Sequence, residues 1–301
     1  EPLLRHMAPE IVRDTAELRP LALARCSWAY RVLAVQSAEL TDAITAEALQ
    51  KIQEFQTKAL VKLVDSVYVG PPGNGQARLE GALAARIAGL AGLLKDTWRP
   101  AGQGPGVSAE DYSAQVASFG CVDCGVVGTP MLLAQLQIEL PSLAFLRRCQ
   151  AREWVAAGAQ DPSGRTGREF AVAEVAVSAP EGSLHEWVLR YAGDSSEGPE
   201  AEPPEPAGAA ASRRLQPLDL PGCTGRADST FLVLVEVCSR ILGLGVEADS
   251  AGACGAVRGS VQLLSTALPG ISGVGALRQL AVRFPNVVLE FAEQITLVAD
   301  Q

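Results

Sequence analysis

Apolar positions in the first hundred residues recur every three to four places, the spacing that lays one face of an α-helix against a core. Leu21, Cys26, Ala29 and Leu33 predict a first helix that also carries Trp28 and Tyr30. Leu40, Ile44, Ala48 and Leu49 predict a second. Leu60, Leu63, Val64 and Val67 predict a third, ended by the GPPGNG turn at Gly70 to Gly75, and Leu79, Leu83, Ile87, Leu90 and Leu94 a fourth. The pattern also repeats. Leu18, Leu23 and Cys26 return at an offset of 37 as Phe55, Leu60 and Leu63, and Leu40, Ala43 and Ile44 return at 39 as Leu79, Ala82 and Leu83. A helical hairpin with a period of about 38 residues marks an α-solenoid, in which each unit buries its apolar face on its neighbours.

The period changes further along. Arg168 to Val177 alternates like a strand, and Leu184 to Tyr191 follows after an EGS turn. Thr230 to Leu244 is apolar enough for a buried helix, Gly259 to Ala267 reads as a strand, Gly273 to Phe284 as a helix, and Asn286 to Phe291 as a final strand. A further helix is expected from Pro141 to Trp154. The fold class predicted is therefore α plus α/β: helical hairpin repeats over residues 1–100, a linker over 101–140, and an α/β layered domain over 141–301 of order β-β-α-β-α-β. The RPAGQGPG stretch from Arg99 to Gly106 has linker composition, and the Glu-, Pro- and Ala-rich segment 194–214 reads as an acidic loop inside the second domain.

Charge adds a limit on partners. Residues 1–100 hold 12 Lys or Arg against 11 Asp or Glu, and residues 101–301 hold 13 against 23, giving a net charge of −9 overall. That balance argues against a free-standing nucleic-acid binder relying on phosphate neutralisation. No apolar run approaches the roughly 20 residues of a membrane span. Seven scattered cysteines do not form a disulfide pattern, and Cys121 with Cys124 is the one C-x-x-C. Two histidines leave few general bases. Phosphate-loop, dinucleotide-binding, serine-hydrolase and zinc-protease motifs are absent from the chain.

The segment Leu21 to Phe55, LALARCSWAYRVLAVQSAELTDAITAEALQKIQEF, resembles a repeat of the octotricopeptide and FASTK-like families, through Trp28-Ala29-Tyr30 and Glu47-Ala48-Leu49. In the second repeat Asp65 stands where Trp28 stands in the first. This resemblance implies an organellar protein, mitochondrial or plastid, associated with RNA. Residues 168–291 resemble the core of the cytidine-deaminase-like fold. PGISGVGALRQLAVRFPNVVLEF looks like the helix and strand that carry the P-C-x-x-C zinc ligands, and ADSTFLVLVEVCSRI like the helix that carries the His or Cys ligand and the catalytic Glu. On that resemblance Asp228 occupies the ligand position, Thr230 the Glu position, and Gly270 and Gly273 the two cysteine positions. The implied zinc, its activated water and the proton shuttle have no side chains to hold them. The resemblance thus implies a degenerate deaminase domain without cofactor, metal or catalytic residues.

These observations lead to an expected non-catalytic adaptor, one protein subunit of a larger organellar assembly, with no membrane span. An alternative is an organellar RNA-binding factor in transcript maturation or translation. Arg25, Arg31, Lys51, Lys58 and Lys62 on the helices, with Arg147 and Arg148, are the candidate partner or RNA contacts. A zinc hydrolase built on Cys121, Cys124 and Cys223 is a third reading.

Overall fold

A computed structural model of the chain describes residues 2–35, 37–67, 74–97, 124–139, 141–142, 144–145, 147, 169–193, 215, 219–220, 223–224, 228–246 and 251–293. It is α plus β: helices come first, then a small mixed four-stranded sheet with its own helices. The chain divides into two compact units, Glu1–Gly92 with Gln115–Leu132, and Leu93–Ala114 with Leu133–Gln301.

The first unit contains α1 (Pro2–Asp14), α2 (Pro20–Val32), α3 (Ala38–Gln50), α4 (Thr57–Val67), most of α5 (Asn74–Thr97) and the start of α6 (Gly125–Gln135). Pro20 opens α2, where its missing N–H costs nothing, and the Ser37 hydroxyl caps α3 by accepting the Leu40 N–H at 3.3 Å. α2 packs on α4 and α3, and α1 on α3. Leu40, Ile44, Leu60, Leu63, Leu79, Leu83, Ile87, Leu90 and Leu94 are all buried, as their spacing predicts. The face of α2 is a correction. Leu21 and Leu33, expected inside, are 49% and 57% exposed, and α2 instead buries Leu23, Ala24 and Tyr30. Its sequence PLALARCSWAYRV is apolar on both sides, so its period does not select a face.

The turns between helices are held alike in both hairpins. Lys51 Nζ donates to the carbonyls of Ala16 and Leu18 at 2.6 and 2.9 Å. One hairpin on, Arg86 donates to the carbonyls of Phe55 and, at 3.2 Å, Ile52. The segment 101–140, expected to be a linker, contains α6 and is corrected in that part. Asp65 Oδ2 and Oδ1 accept the Val126 and Val127 N–H groups at 3.1 and 3.0 Å, capping α6 from α4. Gly125 sits at φ +69°, and a Cβ there would stand 2.1 Å from Asp65 Oδ2, so only glycine lets this carboxylate approach.

The second unit is built on β1 (Glu169–Ser178), β2 (Leu184–Gly193), a two-residue hairpin of β3 (Asp219–Leu220) and β4 (Cys223–Thr224), α7 (Ser229–Gly243), α8 (Ala251–Ala256), β5 (Arg258–Ser265), α9 (Ile271–Arg283) and β6 (Val287–Glu293). The sheet order is β2-β1-β5-β6; β1 is antiparallel to β2 and β5, and β5 runs parallel to β6. Ala171, Ala173, Val175 and Val177 share one face of β1 with Val261 and Leu263 of β5, and all are buried. α7 packs on β1, β2 and α9. It lies on that face, because the opposite residues of β2 (Leu184, Glu186, Val188 and Arg190) are exposed. At the outer edge of β6, Glu139 forms a parallel bridge to Glu290, its N–H reaching the Leu289 carbonyl at 3.0 Å. Ser142 Oγ donates to Glu290 at 3.3 Å, and Phe145 is fully buried. The remainder of the helix expected from Pro141 to Trp154, the 99–106 stretch and the 194–214 loop lie outside the described residues.

Candidate functional site

Asp228 stands just before α7 with extended backbone (φ −69°, ψ 116°), the usual geometry of a helix cap. Its Oδ1 accepts the N–H groups of Thr230 at 2.8 Å and Phe231 at 3.3 Å. α9 starts beside it. The residue at its own cap position is Gly270, which has no side chain to offer. Asp228 Oδ2 supplies the missing acceptor, taking the Gly273 N–H at 3.1 Å. One carboxylate therefore serves the starts of two helices, where both backbone dipoles favour negative charge. Three of the four residues that the sequence singles out, Asp228, Thr230 and Gly273, meet at this joint, and Gly270 opens the second helix.

The joint is also tight. A Cβ on Gly273 would lie 2.7 Å from Asp228 Oδ2, 3.1 Å from Pro269 Cβ and 3.2 Å from Thr230 Cβ. Thr230 and Ser229 are each 1% exposed, and Ser272 is buried beside them. No cysteine fits at 273 unless Asp228 moves. The glycine-rich helix start is suited to an anion, and the anion it holds is this chain's own side chain. The chemistry available here is hydrogen bonding to backbone, with no imidazole or thiol in the set.

The other candidates are placed as follows. Lys51, expected as a partner contact, points into its own unit, bonded to two carbonyls and paired with Glu47 at 2.9 Å. Arg31 donates to the Asp65 carbonyl. Lys62 Nζ lies 3.9 Å above the Trp28 ring, a cation–π contact. Arg25 and Lys58 are exposed, as is Arg147; Arg148 lies outside the described residues. Leu21, Arg25, Trp28 and Val32 form one exposed stripe along α2, at helical spacing. A cavity of about 960 Å³ lies along α2 and α3, lined among others by Tyr30, Arg31, Asp42, Thr45, Gln50 and Arg78. Its charged groups are exposed and of both signs, which selects no ligand.

Cys124 is buried, and Cys121 lies outside the described residues. Among the described residues no group of three or more His, Cys, Asp or Glu could hold a metal ion. Cys238 is a packing thiol: burial pushes its pKa up, against the Arg283 guanidinium, which donates to its sulfur at 3.4 Å. His185 stacks on Trp187, with ring centroids 5.9 Å apart, and meets Ser183 Oγ at 2.8 Å. Glu293, opposite Ser265 at the end of the β5–β6 pair, has its pKa pushed up to about 7 by burial. No helix among the described residues is long and apolar enough to cross a membrane.

In comparisons with known proteins, no family model, curated protein or solved structure matches this chain.

Proposed function

We propose that the protein is a non-catalytic adaptor, a subunit of a larger organellar assembly that joins octotricopeptide-like helical hairpins to a deaminase-like domain without its metal. The observation that carries this reading is the Asp228 joint. Where the resemblance would place a zinc ion between two helix starts, this chain has a carboxylate bonded to both of them. The order of the main elements, β-β-α-β-α-β apart from the short β3–β4 hairpin and α8, supports the deaminase-like part. The matching turn anchors, Lys51 in one hairpin and Arg86 in the next, support the repeat part. Binding is favoured by the stripe of Leu21, Trp28 and Val32 on α2, 49%, 43% and 57% exposed, which offers apolar area to a protein partner. The net charge of −9 favours protein over RNA as that partner.

The test is affinity purification of the tagged full chain from its native cells at mild salt, with and without nuclease, followed by mass spectrometry. A fixed set of protein subunits that survives nuclease is the expected result. Transcripts whose removal dissolves the set would shift the reading to an RNA-binding factor. Recovery of the chain alone would overturn it.

A further inference from the structure

The apolar stripe of α2 (Leu21, Trp28 and Val32) is exposed over about 16 Å of helix. α4 lies alongside it. Lys62 sits over the Trp28 ring and, about a turn further on in both helices, Arg31 donates to the Asp65 carbonyl, so α2 and α4 run parallel and share this surface. About a turn before those contacts stand Arg25 and Lys58. Both are exposed, and among the described residues neither has a hydrogen bond or an ion pair. The charge of the surface is one-sided. α2 (PLALARCSWAYRV) contains no acidic residue, and the one in α4, Asp65, is spent on the start of α6. The nearest acids in sequence, Glu17 and Glu54, lie in the turns before the two helices, and neither pairs with Arg25, Lys58 or Lys62.

We propose that this surface docks an acidic amphipathic helix of a partner protein, with the helix's apolar stripe on Leu21, Trp28 and Val32 and its carboxylates on Arg25, Lys58 and Lys62. The inference rests on the adaptor reading and names the kind of partner its stripe takes. Charge selects the acidic character, because the cations flank the apolar groups with no acid of this chain to answer them. The stripe selects a helix. The backbone groups along α2 are spent within the helix, so the surface offers side chains alone, and an extended peptide would find no partners there for its main chain. A helix satisfies its own backbone and presents contacts every three to four residues, the spacing of the stripe itself. Single-stranded RNA fits less well. Its bases stack on open aromatic faces, and the one exposed ring here, Trp28, already carries Lys62 on one face. Leu21 and Val32 give aliphatic surface, which suits apolar side chains and offers nothing to phosphate.

The test is fluorescence anisotropy of the purified full chain with two labelled helical peptides of about 18 residues, circular dichroism confirming that each variant is folded. Both peptides carry leucines every three to four places; the flanking positions are glutamate in one and lysine in the other. The parent is expected to bind the glutamate peptide and not the lysine peptide, more weakly as salt rises. Arg25→Glu with Lys58→Glu should weaken the glutamate peptide about tenfold or more and bring in the lysine peptide. Trp28→Ala should weaken the glutamate peptide without admitting the lysine one. A parent that binds neither peptide, or both alike, overturns the proposal, as does binding that ignores the double charge change. A labelled oligouridine that binds the parent more tightly than the glutamate peptide and displaces it would also overturn it, giving the surface to RNA. The adaptor reading fails separately. Subunits recovered from cells equally with the parent and the double variant would overturn this docking surface and leave that reading standing, whereas a chain recovered alone that still shows the expected peptide binding would do the reverse.

Discussion

Replacing Asp228 by alanine removes the acceptor shared by two helix starts. The loss can be sized from the three bonds: Thr230 N–H at 2.8 Å, Phe231 N–H at 3.3 Å and Gly273 N–H at 3.1 Å. An ordinary N-cap deletion costs about 1 kcal/mol. A charged acceptor taken from a donor on a second helix adds about 1.5–3 kcal/mol. Asp228 is only half-buried, so water replaces part of this, and the expected cost is about 2–4 kcal/mol. Because the chain has two units, one melting curve need not report the second unit alone. Hydrogen exchange read by mass spectrometry on peptides covering 229–243 and 271–283 does. Asp228→Ala should speed exchange in both peptides by about 30-fold to several hundred-fold. Asp228→Asn, which keeps an acceptor oxygen for α7, should lose less. A variant that loosens α7 while α9 exchanges at the parent rate would show an ordinary cap rather than a joint, and would refute the reasoning.

Three further outcomes follow from the geometry. Gly273→Ala should destabilise the second unit by about 1–3 kcal/mol through contact with Asp228 and Thr230, and its cost should shrink in an Asp228→Ala background, where the carboxylate is gone; additive costs in denaturant melts would contradict the contact. Asp65→Ala should cost about 1–2 kcal/mol and speed exchange in 125–135 specifically, since it uncaps α6. Glu293 has its folded pKa raised to about 7 by burial, so its protonated form is favoured in the fold. The stability it lends is present below the ordinary carboxylate range and lost as pH rises through about 7, and Glu293→Gln should flatten stability across pH 4.5–7; an unchanged profile in that variant would count against it.

Long periodic segments were legible in the sequence. The helices around Leu40, Leu60 and Leu83, and the strands around Val175 and Leu263, lie where their spacing predicts, because a buried stripe needs that spacing. Elements held by contacts distant in sequence were not. α6 begins at a glycine and has Pro130 inside it, so its local signals are those of a loop; its cap, Asp65, is contributed by α4. α1 is different: Leu4, Ala8 and Ile11 stand at helical spacing, but Pro9 inside the run is a local break signal, and no helix was predicted there. The candidate site was legible as a set of residues, but the absence of side chains at Gly270 and Gly273 gave only a negative reading. That Asp228 spans both helices depends on the chain closing back on itself across a sequence separation of 45, which no local pattern encodes. Asp65 carried a usable signal: it breaks the repeat at the Trp28 position, and the break marks a polar task.

The most direct measurement of the central claim is the zinc content of the purified full chain after expression in zinc-replete medium and exhaustive dialysis, by elemental mass spectrometry. A joint closed by Asp228 predicts well under one zinc per chain, unchanged in Asp228→Ala. One tightly held zinc per chain would contradict it and return the domain to the metal enzymes.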